Sequence, residues 1–249
     1  MVQNVFADAD EQFSKLATVA EHMISFKRKF KKLYVDAYVG MSVPALFGPY
    51  VRLELLTWSP LACCGEGCFE EMQWYNTLFN YGMDKGGDDV EGDVDVNLVP
   101  QMVENVVLPI VSHAVNRAWD TRSSMQSKSL ADVTAELMMY LVDDNDNQKE
   151  SLKELIDEII ATLREEQRAM TVRSWPHAFT IHAKNAEDLA KETVGRAVKL
   201  ISNISIWHRV IPLQTIEDML GDLIPRCIMP TLHILSSANT EEALSLMLR

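Results

Sequence analysis

VPALFGPYVRLELLTWSPLACCGEGCFEEMQWYNTLFNYG, residues 43–82, holds two of the five tryptophans and three of the four cysteines of a 249-residue chain. Pro44 suits a first helical turn, where its missing N–H has no intrahelical partner to lose. Leu46, Phe47, Tyr50, Val51, Leu53, Leu55 and Leu56 then fall on nearly every side, the pattern of a helix buried all round. Trp58-Ser59-Pro60 ends that helix, since the ring of Pro60 drives Ser59 out of the helical region. A second helix is predicted from Phe69, Met72, Trp74, Tyr75, Leu78, Phe79 and Tyr81, with Gly82 suited to the left-handed position that closes it. Trp58, Phe69, Trp74, Tyr75 and Phe79 are expected first as packing residues of the core.

Upstream, the spacing predicts one long helix from about Asp8 to Tyr34, with Phe13, Leu16, Ala20, Met23, Phe30 and Leu33 on one face and Lys27 interrupting it. Its last turns carry the basic cluster Lys27, Arg28, Lys29, Lys31 and Lys32. Two readings stand: a solvated face favoured by the C-terminal end of the helix dipole, or a docking patch for an acidic partner or an RNA backbone.

Downstream, residues 83–95 read as an acidic surface loop containing Asp84, Asp88, Asp89, Glu91, Asp93 and Asp95. These acids miss the calcium-loop spacing. A helix over Val96 to Trp119 is expected to kink near Leu108, because Pro109 removes a hydrogen bond in its middle. Ser123 to Lys128 reads as a polar connector, with Ser129 and Asp132 as a capping pair for a helix to Leu141. Asp143, Asn145, Asn147 and Glu154 do match calcium-loop positions, yet Gln148 stands where the bend needs glycine. The apolar stripe Leu152, Leu155, Ile156, Ile159, Ile160 and Leu163 calls for helix there instead. A bend at Trp175-Pro176, a helix capped by Asn185 and Asp188, a short helix from Pro212 closed by Gly221, and further apolar helices complete the chain. The last of these stops at Arg249, the expected sign of a domain cut from a longer protein.

Chemistry is sparse. The chain has no phosphate-binding Gly-x-x-x-x-Gly-Lys, no Gly-x-Ser-x-Gly elbow and no His-Glu-x-x-His. Cys63, Cys64 and Cys68 lack a second half-site for zinc; Cys227 is solitary, and His177 and His182 are in no zinc spacing. The expectation is a protein without metal, cofactor or catalysis. Thirty-six acids against 23 bases give a net charge of −13, which disfavours direct DNA binding. The segment through Gln12 is polar and acidic, so no secretory leader is expected. No apolar run is expected to reach the ~20 residues of a membrane span. Composition and periodicity together predict an all-α fold of antiparallel helix pairs, repeat-like, in a single domain over residues 1–249. Grooves between stacked helices accept partner helices, which points to a binding module.

The runs LFGPYVRLELLTWSPL, FEEMQWYNTLFNYG and VDVNLVPQMVENVVLPIV resemble blocks of the GC-rich-sequence-factor (GCFC) family of the PAX-binding type, and RAWDTRSSMQS and IEDMLGDLIPRCIMPTL extend the match. The resemblance implies a nuclear, non-catalytic scaffold in pre-mRNA splicing, acting in intron-lariat spliceosome disassembly with a tuftelin-interacting G-patch protein and a DEAH-box helicase. It also leaves open a transcription regulator that binds GC-rich DNA or bridges PAX proteins to chromatin modifiers.

Overall fold

The computed structural model describes residues 5–6, 8–62, 69–83, 94–141, 146–170 and 184–229, and every regular element among them is helical. The fold class is therefore all-α, as composition and periodicity predict. The chain divides into two compact units, Met1–Ala114 with Asp132–Leu155 and Val115–Ala131 with Ile156–Arg249.

In the first unit the predicted N-terminal helix is broken. A short 3-10 turn at Glu11–Phe13 precedes α1 (Leu16–Lys29), and Phe30 leaves helical geometry before α2 (Lys31–Asp36) begins. The break turns the expected stripe: Val19 and Ala20 are buried, whereas Phe13, Phe30 and Leu33 are exposed. The helix α3 (Val39–Leu55) starts well before Pro44, so that this proline lies inside it together with Pro49 instead of opening it. Nor is it buried all round. Val43, Phe47, Val51 and Leu55 make one inward stripe at four-residue spacing, while Leu46 and Leu56 face solvent.

The helix α4 (Gln73–Met83) is started by a side chain from α3. Glu54 accepts hydrogen bonds from the backbone N–H of Gln73 at 2.8 Å and of Trp74 at 3.0 Å, placing a carboxylate at the positive end of the helix dipole. We expect Glu54→Ala to cost about 1 kcal/mol, read as a lower denaturant midpoint at unchanged m-value. Gly82 does not close α4 in a left-handed conformation; the helix runs on to Met83. Its lack of a side chain serves close approach, since a Cβ there would stand 2.8 Å from the backbone oxygen of Asp95.

A 3-10 turn at Val94–Asn97 leads into α5 (Leu98–Met102), a π turn at Val103–Val107 and α6 (Leu108–Arg117). The expected disturbance at Pro109 thus takes the form of a widened turn just before it, which gives the ring room beside the carbonyls one turn back. Contrary to the composition-based expectation, Asp95–Arg117 is long and apolar enough to cross a membrane by those criteria alone. Its apolar side chains Leu98, Met102, Val103, Val106, Val107 and Val111 are buried inside the fold, the character of a core helix.

The helix α7 (Ser124–Leu141) begins five residues before Ser129, which is buried within it rather than capping it. The cap is Ser123, whose hydroxyl oxygen accepts from Gln126 N–H at 3.3 Å, while the Gln126 side chain accepts from Asp120 N–H at 2.8 Å. Next come α8 (Asp146–Ala169), α9 (Lys184–Ile206), with a 3-10 turn at Trp207–Arg209, and α10 (Leu213–Leu223). In α8 the predicted stripe is seated as expected, with Leu152, Leu155, Ile159 and Leu163 buried. Gly221 does not end α10, which passes directly into a second π turn at Ile224–Ile228 containing Pro225.

The second unit is pinned by buried polar groups. Asn203, fully buried on α9, donates to Thr121 O at 2.7 Å and accepts from the Ser124 hydroxyl at 2.7 Å, fixing the turn before α7. Beneath that turn Trp119 and Trp207 meet edge to face at 5.3 Å, and the Trp119 indole N–H donates to Ser127 Oγ at 3.2 Å.

Candidate functional site

Lys27 does not belong to the solvated cluster that its neighbours suggest. It lies one heptad after Ala20 on the inward face of α1, is 8% exposed, and its ammonium meets Asp95 Oδ2 at 2.6 Å. Asp95, expected in an acidic surface loop, is 2% exposed at the head of the segment leading into α5. Of that loop's other acids, Asp84 to Asp93 lie outside the described residues.

Around the pair, the Tyr34 hydroxyl donates to Asp95, within 3.0 Å of Oδ1 and 2.9 Å of Oδ2. Because that proton is committed, the Tyr81 hydroxyl donates to Tyr34 across 2.8 Å. Burial, then the Tyr81 contact and the Asp95 charge, hold the Tyr34 phenol well above its ordinary pKa, so it stays protonated. Lys27 Nζ also lies 5.5 Å from the Tyr34 ring centroid. Two glycines leave the space: a Cβ at Gly40 would come within 3.0 Å of Asp95 Oδ1, as one at Gly82 would meet its carbonyl. An ion pair so enclosed ties α1 to the segment after α4.

The other members of the basic cluster face outward. Arg28, Lys29 and Lys32 are exposed and Lys31 is half-buried. Exposed Phe30 and Leu33 alternate with them, and exposed Tyr38 and Met41 follow at the start of α3. Tyr38 has φ 54° and ψ 34°, a left-handed conformation that costs a residue with a Cβ roughly 1–2 kcal/mol.

The five expected core aromatics divide. Phe69 and Trp74 are fully buried and stacked, with centroids 6.1 Å apart. Trp58 and Tyr75 are half-buried, whereas Phe79 is exposed and stacks on Tyr75 from outside at 5.9 Å. Sequence reasoning missed Tyr140 of α7, whose hydroxyl donates to Glu70 and takes a hydrogen bond from Tyr75 at 2.8 Å. A pairing across 65 residues leaves no local signal.

In the second unit a cleft of about 370 Å³ is lined by Arg122, Glu166, Met170, Glu192, Arg196 and Lys199, and Arg122 is already held by Glu166 at 2.8 Å. Cys227 is buried, its thiol donates to Met170 O at 3.5 Å, and burial pushes its pKa up, away from thiolate chemistry. Among the described residues no group of three or more His, Cys, Asp or Glu could hold a metal ion. Cys63, Cys64, Cys68, His177, His182 and the side chains of Asp143, Asn145 and Asn147 lie outside the described residues.

A family model described as GC-rich sequence DNA-binding factor-like protein matches residues 16–230. The chain is similar to Transcriptional repressor ILP1 of Arabidopsis thaliana, 35% identical over 216 residues that cover 86% of this chain and 23% of the relative. It is 29% identical over 228 residues to PAX3- and PAX7-binding protein 1 of Homo sapiens, covering 86% and 23%. To Intron Large complex component GCFC2 of Mus musculus it is 25% identical over 239 residues, covering 92% and 30%. The chain spans about a quarter of the length of the curated relatives it matches.

Proposed function

Since the chain belongs to the GC-rich sequence DNA-binding factor-like family, we propose that it is a non-catalytic, protein-binding scaffold of nuclear pre-mRNA splicing. In this reading it serves intron-lariat spliceosome disassembly beside a tuftelin-interacting G-patch protein and a DEAH-box helicase, and the helicase supplies the ATP chemistry. The observation that carries it is the similarity to an Intron Large complex component across 92% of this chain. The physical character agrees: helices with outward apolar and basic side chains offer surface to a partner.

A second reading, transcription regulation, is favoured by the names of the repressor and PAX-binding relatives. With a net charge of −13, such a role for this chain runs through protein contacts rather than GC-rich DNA. Affinity purification of the tagged chain from nuclei, with a duplex-DNA gel shift at moderate salt, separates the two. The splicing scaffold recovers the G-patch protein and helicase and shifts no DNA. Recovery of histone-modifying subunits without spliceosomal proteins, or a specific DNA band, would reverse the order.

A further inference from the structure

Resting on the scaffold reading, we infer that the face made by the end of α1, α2 and the start of α3 docks an acidic, amphipathic segment of a partner protein. Phe30, Leu33, Tyr38 and Met41 are 53%, 54%, 70% and 68% exposed, a run of large apolar side chains left in water. Lys29 and Lys32 stand exposed among them. In a chain of net charge −13, this is where carboxylates find local positive charge. Asp36, at the far end of α2, is the one acid on that short helix, so the cations lie toward one edge of the apolar run.

Two further features show that the face is built. Phe26 stands 6.3 Å from the Tyr34 ring and 5.6 Å from the Phe30 ring, so a line of aromatic contacts runs from the buried Lys27–Asp95 pair out to the surface. Phe30 is therefore backed by fixed neighbours although half its surface is wet. Tyr38 keeps a strained left-handed backbone at the site where its ring is most exposed. Strain held at such a position points to use outside the fold. Phe30 and Tyr38 present rings on which bases also stack, so single-stranded RNA is the competing ligand that the test must separate, while the aliphatic Leu33 and Met41 fit the apolar side of a protein segment.

The test uses the full chain and a fluorescein-labelled peptide helix with leucines on one face and glutamates on the other. Its scrambled isomer and single-stranded oligouridine RNA serve as competing probes, read by fluorescence anisotropy. The amphipathic peptide saturates, and the scrambled one binds about tenfold more weakly. Lys29→Glu with Lys32→Glu, and separately Leu33→Asp with Met41→Asp, each weaken binding by about tenfold or more at unchanged helicity. Tyr38→Gly weakens binding while Tm does not fall. Equal binding of both peptides, RNA binding in place of peptide, no binding of either, or variants that bind like the parent would each overturn the inference. Recombinant G-patch protein in the same assay separates the two claims. If it binds parent and variants alike, this face is wrong and the scaffold stands; if it does not bind the parent, the splicing scaffold itself fails.

Discussion

Lys27→Ala is expected to lower the unfolding free energy by about 3–5 kcal/mol, since it removes the ammonium that meets the buried Asp95 carboxylate at 2.6 Å. A domain of ordinary stability holds only about 5–15 kcal/mol in total. Tyr34 continues to donate to Asp95 in the variant, which places the loss toward the lower end of that range. The apolar replacement Lys27→Met with Asp95→Leu removes both charges together and should recover most of the loss, because no charge is then desolvated. Guanidinium unfolding of the single and double variants measures this directly. A Lys27→Ala protein as stable as the parent would show that the pair is hydrated. The phenols add a pH dependence. Tyr34 and Tyr140 both have pKa values raised by burial above the unfolded value of roughly 10. Their contribution is fully present below that pH and is lost as pH rises beyond it, because the unfolded chain then releases protons that the folded chain keeps. Tyr34→Phe should flatten the alkaline decline of stability.

Gly82→Ala should cost about 2 kcal/mol, and Gly82→Val more, even though alanine is the better helix former. The added Cβ would lie 2.8 Å from the Asp95 carbonyl oxygen, and backbone cannot swing aside as a long side chain does. The 3-10 turn must move, and a shift of Asp95 disturbs its contact with Lys27. Combined with Lys27→Ala, the substitution should therefore cost less than the sum of the two single losses. Gly48→Ala provides the contrast. Apart from its chain neighbours and the backbone of its own helix, no atom lies within 4 Å of its Cβ position, so thermal unfolding should leave that variant close to the parent or above it.

Helical class and the stripe of α8 can be read from residues alone, because four-residue spacing is a property of the chain itself. Trp74 is legible for the same reason, whereas Phe69 lies on the turn before α4 and is legible only as a large aromatic, not from helical spacing. In α3 the inward residues are visible, but the outward Leu46 and Leu56 are apolar too, and so the sequence overstates its burial. Lys27 is not legible: its role is decided by Asp95, 68 residues on, and an acid in a glycine-containing acidic run looks like surface until a tyrosine and a lysine are seen to enclose it. Gly82 reads as a turn residue because left-handed backbone is the commoner use of glycine at a helix end. Here the missing side chain serves a neighbour's carbonyl. The start of α7 does carry a local signal, Ser123 followed three residues later by Gln126, but the later Ser129 and Asp132 mask it. The face carrying Lys29 and Lys32 is partly visible as a run of charge. The break at Phe30, which leaves Leu33 and Met41 outside, is not, since nothing in the periodicity interrupts the helix there.

The two π turns bear on how related chains can differ in length. Each takes one residue more than an α-turn over the same rise, so the surplus is absorbed where it occurs. A helix that gains a residue elsewhere rotates everything beyond the insertion by about 100°. That rotation would carry Val111 and Ala114 out of their seats. Val103–Val107 and Ile224–Ile228 are thus joints at which single-residue gains or losses can accumulate while the apolar faces downstream keep their bearing.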